Sequence, residues 1–79
     1  MKQAIVTKYL GPTNFHGSRV KATANAGSMI FSWDHALTAA ENHRLAASKF
    51  ADRYSWEGSL IGGGLPDNTG YCWVFSEDK

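Results

Sequence analysis

The residues of this chain whose types could do chemistry are His16, His35 and His43, the single Cys72, and the run Gly62, Gly63 and Gly64. Imidazole titrates near neutrality and serves as a general base or metal ligand. No two of the histidines stand at the His-Glu-x-x-His spacing that sets two zinc ligands on one helical face. His35 follows Asp34 directly, and neighbours on an extended segment point apart, so Asp34 reads as a turn or cap residue. Cys72 alternates with Tyr71 and Trp73, a pattern that predicts a buried, inert thiol rather than a nucleophile. Asp67 follows Pro66 and reads as a turn former before a catalytic acid. The glycine run could cradle a phosphate, yet no Lys-Ser or Lys-Thr pair follows it and the Gly-x-Gly-x-x-Gly spacing is missing. Close approach of backbone to an aromatic ring is the simpler expectation there. These residues predict a domain without enzymatic activity, metal or cofactor.

The elements that must position these groups are set by periodicity. Residues 37–58 are the one stretch with the spacing of a long helix, expected over 38–57. Ala39, His43, Ala46, Ala47, Phe50, Ala51 and Tyr54 share a face, and Glu41, Ser48, Lys49 and Asp52 lie opposite. Thr38 with Glu41 three residues on fits a capping box, Asp34 is a competing cap that would start the helix about four residues earlier, and Gly58 is the expected stop. His43 falls in the middle of the core face, where a packed ring with local hydrogen-bond partners is expected. Five period-two runs, 3–10, 18–24, 28–33, 59–65 and 71–75, predict strands. In the first, Ile5, Thr7 and Tyr9 share a side; in the second, Val20, Ala22 and Ala24 face one way while Arg19, Lys21 and Thr23 face the other. The order β-β-β-α-β-β predicts an α+β domain spanning 1–79, a five-stranded antiparallel sheet with one helix on one face. One helix covers only one side of a sheet, and aromatics expected on more than one strand face imply curling, a partner or a self-associating sheet.

Four Phe, three Tyr and three Trp supply a core for a chain of 79 residues, and one cysteine leaves no intrachain disulfide. There is no apolar run of membrane-spanning length or signal-peptide character, and a cytoplasmic protein is expected. The net charge is +1, but Lys2, Lys8, Arg19 and Lys21 stand without an acid in the first 33 residues, while all seven acids follow. Arg19 and Lys21 sit two apart on a strand, and Lys8 on the neighbouring strand is expected to join them as a surface for an anionic partner. Four bases are a sparse footprint for direct nucleic-acid binding. Leu45 breaks the helix pattern by falling among polar residues, and is either a surface leucine or part of a partner-binding face.

The segments TKYLGPT (7–13), GSRVKA (17–22), SWDHAL (32–37), Glu41-Asn42-His43 and GGGLPD (62–67) resemble those of a family of very small proteins scattered through bacterial, phage and plasmid genomes. The resemblance covers nearly the whole chain and brings no catalytic residues. A mobile-element setting implies, by analogy with small anti-CRISPR proteins, a binding protein that blocks a host CRISPR surveillance complex by occlusion. Its expected partner is a host protein or ribonucleoprotein complex. The alternative is an accessory protein of a mobile element that binds nucleic acid or a nucleoprotein complex, or forms a homo-oligomer such as a dimer.

Overall fold

The computed structural model describes residues 3–66 and 69–76. The expected turn at Asp67 and Asn68 and the polar tail Glu77 to Lys79 lie outside them. The chain forms β1 (Ile5–Leu10), β2 (Arg19–Ala24), β3 (Gly27–Ser32), α1 (Ala39–Arg53), β4 (Leu60–Gly64) and β5 (Gly70–Phe75). All neighbouring strands are antiparallel, in the order β3-β2-β1-β5-β4. The chain enters the sheet at its centre, runs outward through two hairpins, and returns through α1 to complete the other edge. No described helix is long and apolar enough to cross a membrane.

Helix α1 forms where alanines lower the entropic cost and where its start is capped. Thr38 Oγ1 accepts the Glu41 N–H at 3.1 Å, and Glu41 Oε1 accepts the Thr38 N–H at 2.9 Å, completing the capping box. The helix ends at Arg53, four residues before the expected 57. Tyr54 caps it, and Ser55 turns to φ 59 so that the Trp56 N–H reaches back to the Ala51 carbonyl at 2.9 Å. That reversal stacks Trp56 on Tyr54 and brings it beside Phe50, so aromatic burial ends the helix before Gly58 is reached.

The core lies between α1 and one face of the sheet. Ile5, Val20, Ala22, Ala46, Ala47, Phe50, Ala51 and Trp73 are buried, and Phe50 is wholly enclosed. The alanine stripe lets the helix approach closely, and Phe50 and Trp73 fill the space it leaves. The large aromatic side chains of the strands all turn to this side, which corrects the expectation of aromatics on more than one face: the antiparallel register aligns Tyr9, Phe31, Tyr71, Trp73 and Phe75 with the buried Ile5, Thr7 and Val20. Gly62 is required here: a Cβ at that position would run into the Trp73 indole, the close approach expected of the glycine run. Gly70 is equally constrained, since a Cβ would strike the Thr7 carbonyl across the ladder.

Candidate functional site

The uncovered face of the sheet carries the basic residues. In the β1–β2 register Lys8 stands opposite Lys21, Leu10 opposite Arg19 and Val6 opposite Thr23. Strand alternation sends all six to the side away from α1, because Ile5, Thr7, Val20 and Ala22 are buried beneath the helix. Lys8, Arg19 and Lys21 therefore share one face. Val6, Lys8, Lys21 and Thr23 border a shallow depression of about 300 Å³. Arg19 is half-buried and its Nε is shielded from water without a hydrogen-bond partner. Around the bases the face exposes Ile30, Ile61 and Val74, each by about half. Cys72 belongs to this face too and is only half-buried, which corrects the expectation of a buried thiol: its neighbours Tyr71 and Trp73 are the ones that turn toward the helix.

The other side of the sheet holds a polar node. Trp73 Nε1 donates to Thr7 Oγ1 at 3.0 Å, and Thr7 Oγ1 lies 2.7 Å from His43 Nδ1. Thr7 Oγ1 thus stands between the indole and the imidazole, accepting from the first, while its role towards the second follows the tautomer of the ring. His43 is 3% exposed and Thr7 fully buried. Desolvation lowers the His43 pKa below its usual value of 6.5, outweighing the opposing effect of a hydrogen bond to the Thr7 backbone. His43 is thus the packed, locally satisfied residue expected from its place on the helix. His16 and His35 are exposed and lie apart from it, and no metal-ligand cluster occurs among the described residues.

Above this node lies a cleft of about 650 Å³, walled by Tyr9, Trp33 and Tyr71 and floored by His43. Tyr9 meets Trp33 edge-on at 4.9 Å, Trp33 meets His43 edge-on at 5.8 Å, and Tyr71 tilts over His43 at 4.6 Å. The neighbouring Asn42 is 3% exposed and ties the approach segment to the helix. Its Oδ1 accepts the Asp34 N–H, and its Nδ2 donates to the Asp34 and Thr38 carbonyls. Asp34 in turn accepts the Ala36 N–H on Oδ1, the turn role expected of it.

Leu45 is 42% exposed and lines a groove of about 420 Å³ with Leu37, Arg44 and Leu60, between α1 and the edge strand β4. It is separated from the basic face by the thickness of the sheet, so the four candidate binding residues form two surfaces rather than one. Phe15 was not singled out by spacing, yet it is 89% exposed at the tip of the β1–β2 loop. Thr13 braces that tip: its Oγ1 accepts the N–H groups of Phe15 and His16, and its own N–H bonds the His16 carbonyl. A lone aromatic in a loop otherwise built from small and polar residues was the available signal. Comparison with protein-family models, with curated proteins and with solved structures finds no match to this chain.

Proposed function

We propose that this chain is a binding domain that acts without chemistry, by covering a surface of its partner with the uncovered face of the sheet. The observation that carries this reading is the composition of that face. It presents Lys8, Arg19 and Lys21, three half-exposed aliphatic side chains and no acid from its described strands. A patch of apolar groups set among like charges marks an interaction surface, and its sign selects an acidic partner. Phe15, on a braced loop at the end of the β1–β2 hairpin, is suited to act as an aromatic anchor.

The side on which the aromatics lie favours a protein partner over single-stranded nucleic acid. Sheet-based readers of bases stack them on exposed aromatic rings. Here Tyr9, Phe31, Tyr71, Trp73 and Phe75 turn to the helix side, and the basic face offers aliphatic groups instead. Together with the resemblance to mobile-element proteins, this supports a stoichiometric inhibitor of a CRISPR surveillance complex in the host cytoplasm. The test is phage plating on an immune host that expresses the chain. Restored plating, with purified complex losing target binding at one equivalent of the protein, is expected; immunity that persists despite abundant folded protein would refute the inhibitor reading.

A further inference from the structure

The glycine run lies on an outer edge of the sheet, in β4. Two hydrogen bonds fix which way the backbone of that strand faces. The Ser76 N–H reaches the Ser59 carbonyl and the Leu65 N–H reaches the Gly70 carbonyl, each at 2.8 Å across the β4–β5 pair. Backbone direction alternates along an antiparallel strand, so Ile61 and Gly63 turn their groups inward to β5, while Leu60, Gly62 and Gly64 turn theirs outward. Arg44 donates to the outward Leu60 carbonyl at 3.3 Å. Among the described residues no hydrogen bond reaches the outward groups of Gly62 and Gly64. An open row of this kind is a template for a further strand.

The side chains of β4 say which strand fits. Gly62 makes room for Trp73, but a Cβ at Gly63 or Gly64 would meet no described atom within 4 Å. Packing within the chain therefore does not require glycine at those two positions, and glycine in a strand often marks close approach of another backbone. The strand is bulky at one end, with Leu60 and the 57% exposed Ile61, and bare at the other. Set antiparallel against itself about Gly62, it places Leu60 opposite Gly64 of the copy and Ile61 opposite Gly63. Every outward N–H then meets an outward carbonyl. The groove beside this edge is self-complementary in charge as well. Glu41 and Arg44 both line it next to Gly62, and a two-fold axis at Gly62 sets the acid of each copy against the base of the other.

We propose that β4 is a self-association edge, occupied by β4 of a second copy of this chain and paired antiparallel about Gly62. The two-fold axis is perpendicular to the sheet, so the two five-stranded sheets join edge to edge, with both helices on one side and both basic faces on the other. The pairing is independent of what the basic face binds, and it presents that face twice on one surface.

The test is sedimentation equilibrium of the full chain from about 10 µM to about 1 mM, with hydrogen exchange of the backbone amides followed over the same range. The average mass should rise from that of one 8.7 kDa chain towards twice that value, and the Gly62 and Gly64 amides should gain protection with it. Ile61→Lys puts a charge on the edge, and Gly64→Pro removes an outward N–H while leaving the bonds to β5 in place. Each should weaken association at least tenfold with the circular dichroism spectrum unchanged. Should one fail to fold, the other and the amide protection of the unaltered chain carry the test. Ile30→Lys makes the same change at a half-exposed position on the opposite edge strand, β3, and should leave association unaltered. A chain that stays single throughout, association that survives the folded β4 variants, or association lost with Ile30→Lys instead would overturn the assignment.

Discussion

The two faces of one sheet differ in how completely their side chains are used. Beneath α1 the polar side chains at the centre have named partners: Thr7 joins His43 and Trp73, and Asn42 ties down the segment from Asp34 to Thr38. On the opposite face Lys8 and Lys21 stand directly across from one another, and Arg19 buries a donor without a partner. Like charges in register cost a sheet stability. The first face is explained by folding and the second is not, which is why the second carries the functional reading.

The contrast predicts that substitutions will separate by face. The largest effect belongs to the core: Phe50→Ala should cost about 3 to 5 kcal/mol by lost burial and a residual cavity, read by chemical denaturation. A loss below about 1 kcal/mol would contradict the enclosed position of that ring. Next comes the node. Thr7→Val keeps the shape but strands the Trp73 N–H and His43 Nδ1, and a loss of about 2 to 3 kcal/mol is expected. A near-neutral result would mean that the hydroxyl is not the shared partner of both rings.

The node also sets an acid dependence. His43 binds its proton less readily folded than unfolded, so the unfolded chain gains protons first as pH falls below about 6.5. Stability is full above that value and declines below it, by at most about 1.4 kcal/mol per pH unit. Melting temperatures measured from pH 8 to pH 5 should fall less steeply for His43→Gln than for the unaltered chain; equal slopes would place the titration elsewhere. The smallest effect on folding is expected at the loop tip, where Phe15→Ala should change stability by no more than about 0.5 kcal/mol. The same variant should weaken partner binding at least tenfold if the ring is an anchor, as isothermal titration with the purified partner would show.

The fold was legible because its signals are local. Period-two runs set every strand to within two residues, Thr38 and Glu41 marked the start of the helix, and the alanine stripe set its inward face. The helix end was misplaced because it depends on Trp56 packing back on Tyr54 and Phe50, a contact that no local pattern encodes. The grouping of Lys8 with Arg19 and Lys21 was legible from alternation and one hairpin. The Thr7–His43–Trp73 node was not, since it joins β1, α1 and β5 and needs the long-range β1–β5 register in which Ile5 pairs with Trp73. Leu45 was placed by helical angle among polar residues. Its groove exists only because edge strand β4 runs beside the helix.

The most direct test of the division between the faces is Arg19→Glu with Lys21→Glu, measured for melting temperature and partner binding on the same preparation. Glu at position 21 would face Lys8 across the ladder and replace a like-charge pair by an attractive one, worth a few tenths of a kcal/mol, roughly 0.2 to 1. The expected result is an unchanged or slightly raised melting temperature together with at least tenfold weaker binding at physiological salt. A folded double variant that binds as well as the unaltered chain would contradict the account and move the contact to the Leu45 groove.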